Sequence, residues 1–569
     1  MKEAFKTYPV ETIRDILFKG SRRYGERTAF KTKVSGVYQP ASFDEIRLRA
    51  ENLAACLFGL GLEKGDRVAI LGENRTEWVI AYFAVTTAGF VGVPIDRDLK
   101  EREIHHILGF SEARVLIASE EYLKLLQFDR DGLPALEVMI SMEGLKDGSD
   151  LSFIDALASG AEKVNNGDRR YAEAEVYPDD TAVIIFTSGT TGTSKGVMLS
   201  HQNVASNVVG ASRHICVNEN DTLLSVLPLH HTFEATAGML TPFYQGATVC
   251  HGESLRRIAD NLGETKATVM LGVPAIYEAI YRRIKAGIEQ KGKAKFTFAK
   301  GLASITEKVS GVSIRKRLFH QVHEKIGGHL RLLISGGAAL APEISKGFRE
   351  LGVNFMQGYG LTEFSPIVSV NRLDKFKDGT AGIPIPSCDV KIVNDEIVIK
   401  GPCVMQGYYK NQAATDEVIK DGWLHTGDLG FVDKQGFLHI NGRSKSVIVT
   451  PNGKNIYPEE IEFLLLESKY VLESVVWGGP EETANDVEVQ AIIVPNTDAF
   501  DEEFSSSGYD DEKIEDVMAQ VVKKTNRQLA NYKRIKKFTL RTEEFEKTTT
   551  RKIKRYLYTG KPKGVKKRF

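Results

Sequence analysis

Short apolar runs alternate along this chain with stretches that have helical spacing and polar caps. Val68-Ala69-Ile70-Leu71, ending at Gly72, and Val115-Leu116-Ile117-Ala118 read as strands buried on both faces, which leave no alternating polar side. Ala182–Phe186, Thr222–Leu227, Ala267–Leu271 and Arg331–Ile334 read the same way. Between them, Ser42-Phe43-Asp44-Glu45 offers a capping box that opens a helix running through Phe58. Further helices are predicted around His201–Ser212 and from Val273-Pro274-Ala275 onward. Trp78–Ile95 is the most apolar stretch, but Gly89, Gly92 and Pro94 interrupt it. It predicts a buried helix followed by a buried strand rather than a membrane span. Lys163–Asp180 is polar and predicts a loop.

This alternation predicts an α/β fold with mostly parallel sheets. Strands near Val390–Val393 and Glu396–Ile399 follow. The pattern then changes to a helix over Pro458–Glu467, strands at Ser474–Trp477 and Val489–Val494, and a helix from Asp510 to about Leu529. The expected organisation is a large N-terminal domain of several subdomains, residues 1–442, and a small C-terminal α+β domain, residues 443–569. No internal repeat is visible.

A chain of 569 residues is too long for one core, in keeping with that division. Its 42% hydrophobic and 26% charged content is that of a soluble globular protein. The formal net charge of zero gives no global attraction to nucleic acid or to an anionic membrane. Residues 282–325 are a local exception. Arg282, Arg283, Lys285, Lys291, Lys293, Lys295, Lys300, Lys308, Arg315, Lys316 and Arg317 face few acids there, with Phe296, Phe298, Leu302 and Ile305 interleaved. A solvated helical insertion is the plain reading. A peripheral contact with a membrane surface or an acidic partner is the sharper one. The five cysteines are scattered, with no CxxC pair, which predicts reduced thiols, a cytoplasmic setting and no zinc site. The first residues are polar, so no signal peptide is expected.

The candidate chemistry begins at Ile184-Ile185-Phe186-Thr187-Ser188-Gly189-Thr190-Thr191-Gly192-Thr193-Ser194-Lys195. A buried strand feeds a loop whose N–H groups, hydroxyls and single ammonium can surround a polyphosphate. It is not a Walker A loop, since no Gly-Lys-Ser/Thr follows at the required spacing. Leu227-Pro228-Leu229-His230-His231-Thr232-Phe233-Glu234 places two histidines near a carboxylate, but at no standard zinc spacing. Ser335-Gly336-Gly337-Ala338-Ala339 is a second glycine turn. It is followed by Gln357-Gly358-Tyr359-Gly360-Leu361-Thr362-Glu363, Gly422-Trp423-Leu424-His425-Thr426-Gly427-Asp428, Gly442-Arg443-Ser444-Lys445 and Thr548-Thr549-Thr550-Arg551-Lys552-Ile553-Lys554.

Taken together and in this order, these motifs resemble those of the adenylate-forming family, and within it the long-chain fatty acid–CoA ligases. The resemblance implies ATP, Mg²⁺ and coenzyme A as the small-molecule partners, and a fatty acid as substrate. It implies that Thr187, Ser188, Gly189, Thr190, Thr191, Gly192 and Lys195 hold the β- and γ-phosphates. Gly336, Gly337, Ala338 and Tyr359 would form the adenine slot, with Thr362 at the α-phosphate and Glu363 on the metal. Asp428 would accept both ribose hydroxyls, Arg443 would support ribose and phosphate, and His231 would sit beside the substrate carboxylate. Lys552 would drive adenylation, with Lys554 as the alternative, although Arg551 stands where the family usually has glycine. Lys445 would be the hinge of a mobile C-terminal lid, and Gly453 and Asn455 would line the thiol path. Two other readings stay open: an acyl carrier protein as thiol acceptor by the same route, or an inactive acyl- or nucleotide-binding relative.

Overall fold

The computed structural model describes residues 7–126, 132–145, 149–187, 195–291, 293–310, 313–449, 455–480, 487–504, 508–548 and 553–559. The chain forms two compact units. The larger comprises residues 1–189, 194–390 and 399–424, and the smaller 190–193, 391–398 and 425–569.

The larger unit contains two long sheets. Among the described residues, one has nine strands in the order Ile383–Pro384, Ile367–Val370, Asn354–Gly360, Leu332–Ser335, Val269–Gly272, Thr222–Ser225, Thr248–His251, Thr28–Val34 and Val37–Ser42. Its six strands from Asn354–Gly360 to Thr28–Val34 run parallel. The other sheet has eight strands among the described residues: Gly407–Tyr408, Lys195–Ser200, Thr181–Thr187, Val91–Pro94, Arg67–Leu71, Val115–Ala118, Val138–Ser141 and Leu151–Ser152. It is parallel from Thr181–Thr187 onward. The inner parallel strands Arg67–Leu71, Val115–Ala118, Val269–Gly272 and Leu332–Ser335 are buried along nearly their whole length, which is why they appear in the sequence as unbroken apolar runs.

The helices follow local chemistry. Ser42 caps Phe43–Gly59 by accepting from the Glu45 N–H, and the Glu45 carboxylate accepts from the Ser42 N–H in return. Trp78–Ile95 resolves into the helix Thr76–Thr87, buried along almost its whole length, and the strand Val91–Pro94. No helix among the described residues is long and apolar enough to cross a membrane.

In the smaller unit, Val471–Pro480 pairs antiparallel with Val487–Pro495, which pairs parallel with Lys537–Leu540. Helices Pro458–Leu466 and Asp511–Gln528 cover this sheet, joining Ile461, Leu465, Val476, Ala491, Ile493 and Met518 in one core. Asp510 caps the second helix by accepting from the Lys513 N–H at 2.9 Å.

Candidate active site

In parallel α/β sheets, ligands gather beyond the carboxyl ends of the strands. Most of the sequence-predicted residues of the larger unit stand there. Thr187 closes Thr181–Thr187, Gly336, Gly337 and Ala338 follow Leu332–Ser335, and Thr362 and Glu363 follow Asn354–Gly360, which contains Tyr359. His230 and His231 follow Thr222–Ser225. Three polar links join the ends of the two sheets. After Arg67–Leu71, the Asn74 amide donates to Ser225 Oγ at 3.0 Å and to the Leu227 carbonyl at 2.7 Å, and accepts from the Leu229 N–H at 3.0 Å. After Val91–Pro94, Asp96 Oδ1 lies 3.3 Å from His230 Nε2. The Tyr408 hydroxyl, on the edge strand, donates to Glu363 Oε1 at 2.9 Å.

The glycine-rich loop is built differently from a phosphate loop that opens directly onto a helix. Lys195–Ser200 is a strand, antiparallel to Thr181–Thr187, with Thr187 opposite Lys195. The loop therefore joins the two arms of a hairpin, and the helix starts only at His201. Ser188, Gly189, Thr190, Thr191 and Gly192 lie outside the described residues. The second arm has no clean two-residue alternation, so its burial pattern hid it from a sequence reading. Gly196 is needed in it: a Cβ there would lie 2.9 Å from Ile184 Cγ2 and 3.2 Å from Tyr409 Cβ.

Gly407–Tyr408 adds to the outer side of that arm, with Tyr408 opposite Val197. This puts the Lys195 ammonium 4.6 Å from the centre of the Tyr408 ring. Lys195, Tyr408 and Glu363 thus form a chain of contacts from ammonium to carboxylate. Tyr408 gives no signal in the sequence, because a two-residue edge strand has no periodicity.

Gly336 is packed from the other side. A Cβ on it would lie 2.8 Å from the Phe233 ring, and its N–H donates to the Gly272 carbonyl. Gly337 and Ala338 are exposed, and Tyr359 is half-buried.

The carboxylate grouped with the histidine pair is Asp96 rather than Glu234. Asp96, His230 and His231 bring one donor atom each within 4.8 Å of one another. The two imidazoles lie 4.5 Å apart at 42°, and His230 is buried. Glu234 instead opens a π-helix, Glu234–Leu240, and is wholly buried. Its Oε1 lies 2.5 Å from Ser225 Oγ, while its Oε2 has no hydrogen-bond partner among the described residues. Burial pushes its pKa up to about 8, so the carboxyl is mainly protonated at neutral pH.

In the smaller unit, Asp428 and Arg443 face each other across the hairpin Trp423–Val432 and Leu438–Arg443, with Arg443 Nε 2.9 Å from Asp428 Oδ1. Asp428 is buried and Arg443 exposed. Glu396 steadies the preceding turn, pairing with His425 Nδ1 at 2.8 Å and accepting from the Gly427 N–H at 2.8 Å. Lys445 is exposed in a short 3₁₀ turn and Asn455 lies in a strand. Lys552 and Gly453 lie outside the described residues. Beside Lys552 in the chain, Ile553 bridges antiparallel to Lys547, and the Lys554 N–H donates to the Glu546 carbonyl at 2.8 Å. Arg555 pairs with Glu462, a buried carboxyl whose pKa burial raises to about 7.

The profile of the AMP-binding enzyme family matches residues 17–409. The chain belongs to that family. Among similar proteins, the long-chain-fatty-acid–CoA ligase FadD15 of Mycobacterium tuberculosis is 28% identical over 583 residues, covering 97% of this chain and 96% of its own. The long-chain-fatty-acid–CoA ligase of Escherichia coli O157:H7 is 28% identical, covering 87% of each chain. Among solved structures, ATP-bound MatB from Rhodopseudomonas palustris is 25% identical with a TM-score of 0.71, over 95% of this chain and 97% of its own. The anthranilate CoA ligase AuaEII, in complex with anthranoyl-AMP, has a TM-score of 0.77 over 98% of each chain at 24% identity, a likeness of fold. Both the family and the fold are those of adenylate-forming enzymes.

Glu363 offers what a family Mg²⁺ would need. Its Oε1 is held by Tyr408, and a hard cation bridging phosphates takes only one or two protein carboxylates, with water and substrate oxygens completing its shell. Glu363→Gln is expected to raise the Mg²⁺ concentration for half-maximal ATP–pyrophosphate exchange by roughly tenfold or more. An unchanged Mg²⁺ titration would remove Glu363 from that role.

Proposed function

We propose that the protein is an acyl-CoA synthetase working in the cytoplasm on a long-chain fatty acid. The observation that carries this reading is the meeting of the two sheet ends, where the chain Lys195–Tyr408–Glu363 stands with the group Asp96, His230 and His231 at one carboxyl edge. A carboxylate is a poor acyl donor, being anionic and lacking a good leaving group. Attack of its oxygen on the α-phosphorus of ATP forms a mixed anhydride and breaks the bond to pyrophosphate. A thiol then attacks the acyl carbon, and AMP leaves with the electron pair.

In this reading Thr187, Lys195 and the residues Ser188 to Gly192 grip the β- and γ-phosphates. Glu363 would hold Mg²⁺, whose charge would neutralise the polyphosphate. Gly336, Gly337, Ala338 and Tyr359 receive the base, and Thr362 donates to the α-phosphate. His231 orients the incoming carboxylate. Asp428 and Arg443 bind the ribose side, and Lys552 donates to the oxygens that gain charge. The acyl chain contributes specificity at about 0.8 kcal/mol for each methylene buried. The similarity to the long-chain-fatty-acid–CoA ligases of Mycobacterium and Escherichia supports the long-chain assignment and coenzyme A as acceptor.

The experiment is a series of straight-chain acids from acetate to stearate. AMP release is scored with ATP and Mg²⁺, and with either coenzyme A or holo acyl carrier protein as acceptor. Turnover that rises with chain length and requires coenzyme A supports the proposal. Turnover with the carrier protein alone would replace coenzyme A. No AMP release with any acid would leave an inactive binder.

A further inference from the structure

We propose that the outer face of the helix Lys293–Ser310 is a docking surface for an anionic lipid bilayer. This helix lies within the basic segment and has two apolar faces. The inner one is accounted for by the protein's own core: Phe296 and Ala299 pack against the cluster that includes Tyr277, Phe348 and Phe355, and Ala303 is fully buried. The Phe296 and Phe319 rings lie 5.1 Å apart. Two ion pairs fix the rotation of the helix, Lys300 with Glu350 at 2.5 Å and Arg315 with Glu307 at 3.0 Å.

That rotation leaves a second apolar row facing solvent. Phe298 is 75% exposed, Leu302 45% and Ile305 63%. Their spacing of four and then three residues makes one stripe along the helix. A folded protein has no internal reason to turn a phenylalanine and an isoleucine outward in register, with Gly301 between them and Lys308 one turn further on.

Charge indicates the occupant. Residues 282–325 carry twelve Lys and Arg against three Glu. Of the three, Glu307 is already neutralised by Arg315. Arg282, Arg283 and Lys285 before the helix, and Lys316 and Arg317 after it, are exposed, as is Leu318. An apolar stripe flanked in the chain by exposed cations matches the interface of an anionic bilayer, with side chains at acyl depth and ammonium and guanidinium groups at the phosphates. The surface stands on this geometry alone. Only its purpose, delivery of an acid that partitions into lipid, rests on the function proposed above.

The test is co-sedimentation of the full chain with vesicles of phosphatidylcholine alone, or of phosphatidylcholine with phosphatidylglycerol, at low and high salt. Binding is expected to the phosphatidylglycerol vesicles, to weaken as salt rises, and to drop by roughly tenfold or more in a Phe298→Ser, Ile305→Ser double variant. The same variant should keep its melting temperature and its ATP–pyrophosphate exchange with a water-soluble acid, since neither side chain belongs to the nucleotide site. Phe298→Trp should show a blue-shifted emission with the anionic vesicles only. Equal sedimentation of wild type and double variant would overturn the proposal. So would an absence of vesicle binding, or saturable binding to acyl carrier protein in its place. Loss of exchange activity in wild type would overturn the functional reading and leave the vesicle result standing.

Discussion

Lys552→Ala is expected to lower carboxylate-dependent ATP–pyrophosphate exchange by on the order of a hundredfold to a thousandfold, the range seen when one donor to a charge-developing oxygen is removed. Thioester formation from supplied acyl-AMP and coenzyme A should continue at close to the wild-type rate. The split matters more than the size of either effect. Neutralising charge at the α-phosphate is needed only while the anhydride forms, so a residue confined to that step affects one half-reaction. Lys554→Ala is the control, since its neighbours are the other basic groups of the same run. Equal loss of both half-reactions in Lys552→Ala, or a larger loss in Lys554→Ala, would refute the assignment.

Glu234→Gln is expected to make the protein less sensitive to alkaline pH. The folded-state pKa of Glu234 is about 8, against an ordinary value near 4.5. Below the lower value folded and unfolded chains both hold the proton. Between the two values only the folded chain holds it, so stability falls by about 1.4 kcal/mol for each pH unit. This contribution is complete in acid and is lost as pH rises through the folded value. By pH 8 the wild type should have given up on the order of 3 to 5 kcal/mol that the neutral amide does not titrate away. The unpartnered position at Oε2 adds a penalty to the variant that does not change with pH. Urea melts of both proteins at several pH values would measure the difference. Curves that run parallel from pH 5 to pH 8 would show that Glu234 does not carry its proton in the fold.

Much of the architecture could be read from the residues because doubly covered strands have nowhere to put polar side chains. Val115–Ala118 and the helix His201–Ser212 appear with the bounds their patterns suggest. Phe43–Gly59 follows from its capping box, and Asp511–Gln528 from its cap and apolar stripe. The strand expected over Thr222–Leu227 stops at Ser225, because Asn74 takes the Leu227 carbonyl and bonds to the Leu229 N–H. What escaped the sequence is mostly contact between distant segments. Asp96 and Tyr408 gain meaning only when strands far apart in the chain bring them to His230 and Glu363. The π-helix at Glu234–Leu240 has no compositional signature, and the second hairpin arm at Lys195–Ser200 lacks alternation. The order of motifs, by contrast, was visible from the start, since it depends on local identity rather than on packing.

One phenol serves two neighbours at the carboxyl ends of the strands. Tyr408 offers its π-face to Lys195 and its hydroxyl proton to Glu363, so moving either neighbour tilts the ring that the other leans on. Any redesign of Lys195 or of Glu363 would therefore have to treat all three side chains as a single unit.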